Sequence, residues 1–123
     1  MMPRAGRPIL ALLVTGCAQA PAALDAPRIG TDIAIAPYAS YRECMALHEG
    51  ERITWRFGSS TPVAFSIRYR QDSATVLPVD IASTTAEDAD LAIQQSGDYC
   101  LLWEAGAAGS LLEYRVQPVR PRR

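Results

Sequence analysis

The sequence lacks the residue patterns that most enzyme classes require. It has one histidine, His48, and no Gly-x-Ser-x-Gly elbow to hold a serine against it, which excludes the usual serine-hydrolase arrangement. There is no glycine-rich phosphate loop and no cluster of metal ligands, and the acidic residues show no paired spacing typical of glycosidases. We therefore expect a protein that is not an enzyme and needs neither a metal nor another cofactor. An enzyme would need a deep pocket that gathers His48 with two or more carboxylates.

The chain also lacks an excess of positive charge and a long apolar run. Its 123 residues carry a formal net charge of −1, and all 12 basic residues are arginine. A mildly acidic chain gives no reason to expect nucleic-acid binding. The apolar run at residues 9–14 is too short to span a bilayer. The hydrophobic content of 49% is that of an ordinary globular domain.

The N-terminal residues follow a pattern typical of secretory signals. Arg4 and Arg7 precede the apolar run at residues 9–14, and small residues follow it. The segment ends in Leu13-Val14-Thr15-Gly16-Cys17, which places a small residue directly before a cysteine. This ending resembles the lipobox of bacterial lipoproteins.

The lipobox resemblance implies that residues 1–16 are a cleaved signal peptide and that Cys17 is acylated and held in the lipid bilayer. Ala18, where an inner-membrane protein would have Asp, implies the outer membrane. We therefore expect a lipid-anchored protein of the bacterial cell envelope that faces the periplasm or the cell surface. An ordinary signal peptide, cut after Ala18 or Ala20, is the alternative. Residues 17–31 are mostly small and include prolines, which predicts a flexible tether.

Period-two alternation of apolar residues predicts strands through most of the remaining chain. The clearest strand is 51–57, where Ile53, Trp55 and Phe57 share one face. Turn residues at 58–62 separate it from a second long strand, so the two predict a hairpin. We expect Trp55 to be a core residue, as we do Trp103, although a platform for sugars is the alternative for both.

The whole set of predicted strands indicates the fold class. The strands cover residues 32–36, 41–48, 51–57, 63–70, 74–81, 89–93, 97–104 and 112–117. Short strands, frequent turns and no period of 3.6 predict a single antiparallel β-sandwich of about eight strands at residues 32–119, followed by a basic tail at 120–123. The polar residues 83–88 predict a surface loop, with a helix over 83–92 as the alternative. Pro78 predicts an edge position or a bulge.

Two cysteines remain once Cys17 is assigned to lipid. Cys44 and Cys100 form an even pair in an oxidising compartment, where a structural disulfide is the usual outcome. On its own strand, each cysteine alternates with the large apolar residues and so lies on the opposite face from them. We therefore expect a bridge between neighbouring strands on the outer face of the sheet. A free redox pair is the alternative, although no Cys-x-x-Cys is present to lower a thiol pKa.

Four arginines predict a basic patch. Arg52, Arg56, Arg68 and Arg70 have outward parity on the two strands of the predicted hairpin, so adjacent strands would project two guanidinium groups each. Such a patch is a candidate binding surface for a partner. The alternative is that these arginines pair with acidic residues across the sheet and serve solubility only.

Several short motifs together resemble the GOLD-like, emp24-type β-sandwich family. They are Tyr41-Arg42-Glu43-Cys44, the segment from Gly50 to Phe57, the segment from Pro62 to Ile67, and Gly97-Asp98-Tyr99-Cys100-Leu101-Leu102-Trp103. The resemblance covers roughly residues 41–117 and implies a disulfide from a cysteine near the first strand to one after a Gly-x-Tyr turn. It also implies a domain that binds proteins or cargo without catalysis. Unlike the eukaryotic members, this chain has no coiled coil or transmembrane helix in its sequence pattern.

These observations favour a lipid-anchored, non-catalytic binding or scaffolding module with a protein partner in the cell envelope. The second hypothesis is a proteinaceous inhibitor of a secreted hydrolase such as lysozyme. An inhibitor would use a protruding loop, for which residues 83–90 and 105–110 are the candidates. The sequence leaves the partner's identity and the oligomeric state open.

Overall fold

The computed structural model describes residues 26–120, which form an all-β structure with six strands and one disulfide. The strands are β1 (Arg28–Ile35), β2 (Ser40–Leu47), β3 (Arg52–Gln71), β4 (Ala74–Ala92), β5 (Gly97–Ala105) and β6 (Ser110–Val119). The predicted signal peptide, the predicted lipid site at Cys17, most of the predicted tether and the end of the basic tail lie outside the described residues. Within the described range, no helix has the length and apolar character needed to cross a membrane.

The strands form one antiparallel sheet that curls into a half-barrel. Its order is β1-β6-β3-β5-β2, and β4 pairs with the other edge of β3. β3 contacts β6 through residues 52–59 and β5 through residues 63–68, while β4 follows it along almost its whole length. The sheet therefore has two halves joined by β3 and β4. We call them the β6 half, with β1 and β6, and the β5 half, with β2 and β5.

A bend in β3 brings the two halves face to face. Phe57 and Phe65 are eight positions apart on this strand, and a straight strand would separate them by about 26 Å. Their ring centroids are 4.7 Å apart. The pairing register between β3 and β4 shifts between Gly58 and Val63, where β3 has extra residues relative to β4. β3 therefore folds over the core at the sequence Gly-Ser-Ser-Thr-Pro.

The predicted hairpin at 58–62 is therefore wrong, and so is the count of about eight strands. The turn-like residues form a bulge because their polar groups find partners there. Ser59 Oγ donates a hydrogen bond to the Thr61 carbonyl at 2.8 Å, and Ser110 Oγ accepts one from the Thr61 backbone N–H at 3.3 Å. These bonds satisfy backbone groups that the ladder leaves unpaired, so the chain continues as one strand.

The predicted loop at 83–88 and the alternative helix at 83–92 are also wrong, because both segments belong to β4. Among the described strands, β4 has only β3 as a partner, so much of it is exposed and tolerates polar side chains. Its polarity reflects an edge position. Pro78 lies on this edge strand, where the register with β3 shifts between Ile67 and Tyr69, as the sequence predicts.

The predicted tether extends too far, because β1 begins at Arg28. Ile29 pairs with Arg115 and Gly30 pairs with Tyr114 in the β1–β6 ladder. Residues 28–31 therefore belong to the sheet. Their weak alternation reflects an irregularity in β1, where the register shifts between Gly30 and Ile33.

The core lies between the two halves and is rich in aromatic rings. Trp103 and Phe65 are fully buried and Trp55 is almost so, which confirms the prediction that both tryptophans are core residues. The Trp103 ring stacks on Tyr114 at a centroid distance of 4.9 Å and meets Phe65 at 5.4 Å. Since Tyr114 belongs to the β6 half and Trp103 to the β5 half, these rings hold the two halves together.

The predicted disulfide is confirmed. Cys44 on β2 and Cys100 on β5 are direct partners in the ladder, with Cα atoms 4.0 Å apart. Cys44 is exposed and Cys100 is half-buried, so the bond lies on the outer face as expected. It fastens the edge strand β2 to its only partner among the described strands.

Candidate functional site

The four arginines of the predicted patch lie on one strand rather than on two neighbouring strands. Because β3 is continuous, Arg52 and Arg56 belong to the β6 half, whereas Arg68 and Arg70 belong to the β5 half. About twelve positions separate Arg56 from Arg68. The structure therefore divides the predicted patch into two sites, and each site gains an arginine from another strand.

Arg115 of β6 joins the first pair. It lies directly opposite Arg56 in the β3–β6 ladder, and Asp88 lies on the other side of Arg56 in the β3–β4 ladder. Among residues 26–120, neither Arg56 nor Arg115 makes an ion pair or a side-chain hydrogen bond. Like charges opposite one another destabilise a sheet. Arg52 differs, because its Nη2 lies 3.2 Å from Asp90 Oδ2.

Arg56 and Arg115 line a groove on the outer face of the β6 half, which we call the Arg56–Arg115 groove. It consists of two adjoining depressions of about 370 and 400 Å³ that share Gly58 and Glu113. The first contains the two arginines and Ile29, and the second contains Asp32 and Leu111. The groove is thus basic at one end and acidic at the other.

Two large apolar side chains stand exposed along this groove. Ile29 is 59% exposed and Leu111 is 52% exposed. Ile29 continues the row of Arg115 and Arg56, because it is the β1 partner of Arg115. Exposed apolar side chains and arginine are both features of surfaces that bind proteins.

An irregularity of β1 shapes one wall of the groove. The register with β6 shifts between Gly30 and Ile33, and Asp32 has a φ of 54°. Aspartate tolerates this left-handed conformation better than most residues do. Gly30 allows β1 to approach β6 closely, since a Cβ at this position would collide with the Tyr114 ring. The groove is therefore built on a tightly packed strand pair.

Arg42 of β2 joins the second pair, on the outer face of the β5 half. Arg42, Arg68 and Arg70 line a depression of about 190 Å³ together with Cys100 of the disulfide, and we call it the disulfide-side depression. Leu102 also lines it and is buried, although its parity points outward. The remaining lining residues are Tyr69, Thr75 and Asp98.

Arg68 is held in a defined orientation within this depression. Its Nη2 donates a hydrogen bond to Ser66 Oγ at 2.9 Å, and Ser66 is itself buried. Its Nε is buried and has no hydrogen-bond partner among residues 26–120. A buried donor with no partner is costly and is uncommon in folded proteins.

A polar cluster crosses the gap between the outermost strands β1 and β2. Glu43 Oε2 accepts a hydrogen bond from Arg28 Nη1 at 2.6 Å, and Glu43 Oε1 accepts one from the Tyr114 hydroxyl at 2.8 Å. The Tyr114 and Tyr41 hydroxyls are 3.1 Å apart. Burial is the main cause that raises the pKa of Tyr114 well above its usual value, and hydrogen bonds to Tyr41 and Glu43 add to it. This cluster links the two ends of the curled sheet.

His48 lines none of the three depressions described above. His48 follows β2 with a side chain 72% exposed, and its Nδ1 lies 3.7 Å from Glu51 Oε1. Among residues 26–120, no group of three or more His, Cys, Asp and Glu side chains could hold a metal ion. That the protein is not an enzyme stays a prediction.

Sequence reasoning missed Arg115 and Arg42 as members of the two sites. Both alternate outward on their strands, so their exposure could have been read from the sequence. Their neighbours could not, because the pairing of β6 and β5 with β3 depends on the fold. The missed cluster of Arg28, Glu43 and Tyr114 had one clue, which is the charge of Glu43 on an apolar face.

Comparison with known proteins adds no further assignment, since no protein-family model matches the chain and no match is found among curated proteins.

Proposed function

We propose that this chain is a lipid-anchored, non-catalytic module of the bacterial cell envelope that binds a protein partner through the Arg56–Arg115 groove. The lipobox-like sequence at residues 13–17 supports anchoring through an acylated Cys17 in the outer membrane. The partner belongs to the same compartment, at the periplasmic or the surface side. A tether after Cys17 would hold the groove clear of the lipid.

The fold we propose within this function is a GOLD-like β-sandwich. Counted by layer, each half contains four strand segments, because β3 and β4 contribute to both. The two layers pack through Phe57, Phe65, Trp103 and Tyr114. The disulfide between Cys44 and Cys100 agrees with the pairing that the resemblance implies.

The observation that carries the proposal is that Ile29 and Leu111 are exposed beside Arg56 and Arg115, which form no ion pair within the described part of the chain. A partner with an apolar patch and an acidic group near Arg56 and Arg115 would bury the two side chains and neutralise the opposed cations. Both effects favour the complex over the free protein. An arginine that is desolvated at the centre of an interface also provides specificity.

Site-specific photo-crosslinking in cells tests this proposal. A photoreactive residue at position 29 or 111 is expected to crosslink one discrete partner. The same residue at Ala46, which is exposed on β2 of the other half, is the matched control and is expected to give no such product. Equal crosslinking from position 46, or none from 29 and 111, would overturn the proposal.

Charge reversal gives a second and independent readout. The double variant Arg56→Glu and Arg115→Glu is expected to lose the crosslinked partner and to weaken its binding about a hundredfold in purified form. Arg52→Glu is the control, because Arg52 lies on the same face but already pairs with Asp90. A double variant that binds as tightly as the parent would exclude the groove.

A second candidate function, inhibition of a secreted hydrolase such as lysozyme, is favoured by one observation. The loop that we expected at 83–90 is part of β4, but the turn after β5 remains. Tyr38 is 80% exposed, and its backbone N–H donates to the Gly106 carbonyl at 3.0 Å, so an exposed aromatic ring stands beside this turn. Inhibition of a lysozyme by the protein, and its loss in Tyr38→Ala, would establish this function instead.

A further inference from the structure

We propose that the disulfide-side depression is a binding site for a phosphate monoester, separate from the Arg56–Arg115 groove. The two sites lie on opposite halves of the sheet and share no lining residue. The inference therefore does not depend on the protein-binding function proposed above.

The charge of the lining selects the ligand class. Arg42, Arg68 and Arg70 provide three cations, and Asp98 provides one anion. The net charge of about +2 matches the charge of −1.5 to −2 that a phosphate monoester carries at neutral pH. A carboxylate would neutralise only half of it. Arginine also presents several N–H donors in a fixed plane that suits the oxygens of phosphate.

Most of the N–H donors of the three arginines make no hydrogen bond to residues 26–120. Among the described residues, Arg42 makes no ion pair or side-chain hydrogen bond. Arg68 has a buried Nε with no partner, and Arg70 gives one Nη2 hydrogen bond to the Ser73 carbonyl at 3.3 Å. Within residues 26–120, Arg68 Nε is the one buried guanidinium nitrogen that lacks a partner. A small shift of this side chain on binding would let a phosphate oxygen accept a hydrogen bond from it.

The floor of the depression suits the carbon side of an ester. Leu102 and the Cys100 end of the disulfide supply apolar surface. The volume of about 190 Å³ exceeds what a phosphate group alone occupies, so part of the ester's organic group can enter. Bare inorganic phosphate would leave that apolar surface unfilled.

The disulfide fixes the arrangement of the arginines. Arg42 is two positions from Cys44 on β2, and Arg68 is the β3 partner of Cys100. The bond between the two cysteines therefore fastens β2, which carries Arg42, to β5. β5 in turn lies beside β3, which carries Arg68. Reduction is therefore expected to weaken ligand binding at temperatures where the reduced protein is still folded.

Calorimetric titration of the full chain with phenyl phosphate tests the site. We expect saturable one-to-one binding, and weaker binding of benzoate by about tenfold because it carries half the charge. Arg42→Gln with Arg70→Gln changes two exposed residues, and it should weaken binding by about tenfold or more for each arginine lost. The matched control, Arg56→Gln with Arg115→Gln, is expected to bind phenyl phosphate as the parent does.

Three outcomes would overturn the proposal. They are no heat of binding up to about 10 mM phenyl phosphate, equal loss of binding in the control variant, and equal affinity for benzoate. A circular dichroism spectrum like that of the parent shows that each variant is folded. Flotation of the Cys17→Ser chain, which carries no acylation site at residue 17, then identifies the source of the phosphate ester by comparing vesicles that contain phosphatidic acid with vesicles of phosphatidylcholine alone. Binding that depends on phosphatidic acid and on Arg42 indicates a lipid headgroup, whereas soluble binding without it indicates a free ester.

Discussion

Removal of the disulfide is expected to cost this protein a large share of its free energy of unfolding. The perturbation is Cys44→Ala with Cys100→Ala, which leaves the β2–β5 ladder otherwise intact over residues 40–47. Neither cysteine lies in the core between the halves, so the substitution opens no cavity there. The effect should therefore come mainly from the loss of the covalent link.

The magnitude follows from the length of chain that the bond closes. Cys44 and Cys100 are separated by 56 positions, and the loop contains all of β3 and β4. In the chain-entropy model, a loop of this length lowers the entropy of the unfolded chain enough to stabilise the fold by about 4 kcal/mol at 25 °C. Small domains are stable by about 5–15 kcal/mol. Because the entropy of unfolding of such a domain is small, the loss should lower Tm by about 20 °C.

Urea unfolding, followed by tryptophan fluorescence, measures this difference. Trp55 and Trp103 are both buried, so their emission reports loss of the core. The oxidised protein in the presence and absence of a reductant, and the double alanine variant, form the comparison. Reduced parent and variant should agree with each other. A difference below about 1 kcal/mol from the oxidised protein would refute the entropic argument, since it would mean that the unfolded chain is already restricted without the bond.

Three further predictions concern the contacts around Tyr114. Gly30→Ala places a methyl group against the Tyr114 ring and should lower the free energy of unfolding, measured with urea, by about 1–3 kcal/mol. Gly106→Ala is the control and should change it little, because a Cβ there has no described atom within 4 Å. Equal effects of the two substitutions would contradict the packing argument. Glu43→Ala removes the acceptor of the Tyr114 hydroxyl and should cost about 1–3 kcal/mol by the same assay, and an unchanged midpoint would show that the cluster contributes nothing. The pKa values of Tyr114 and Tyr99 are raised in the folded protein, chiefly by burial. Above about pH 10, these tyrosines lose their protons in the unfolded chain but keep them in the folded protein. The free energy of unfolding should therefore fall by up to about 1.4 kcal/mol per pH unit for each tyrosine. Tyr114→Phe should show a shallower fall, and an equal slope would contradict this assignment.

Local alternation in the sequence predicted which side chains form the core. Ile53, Trp55 and Phe57 are buried, as are Tyr99 and Trp103, because a period of two places alternate residues on one face of a strand wherever that strand pairs. The parity of the cysteines likewise placed their bond on the outer face. These predictions needed no knowledge of distant segments.

The strand boundaries failed where local chemistry permits two outcomes. The residues Gly58 to Pro62 suit a tight turn and equally suit a bulge. The presence of β4 alongside both halves of β3 decided between them, and that is a contact between distant segments. Residues 83–88 failed for a related reason, since a two-sided exposed strand has no apolar alternation to detect.

The candidate sites were predictable only in part. The alternation of side chains correctly predicted that Arg52 and Arg56 are exposed. Their grouping with Arg68 and Arg70 depended on the predicted hairpin, which does not form. Arg56 faces Arg115 across the sheet, and this pairing is fixed by the register of β6, about sixty residues later. To predict a cluster of surface charges, one therefore needs the topology of the sheet, whereas the local sequence pattern is enough to predict which side chains are buried.

The order in which the strands are synthesised has a consequence for export. Every ladder except β3–β4 contains β5 or β6, the last two strands of the described chain. Before they emerge from the ribosome, the nascent polypeptide can form only a long two-stranded ribbon, which is marginal in water. A precursor with a signal peptide, as proposed here, would thus stay unfolded and able to thread a translocation pore until synthesis is nearly finished.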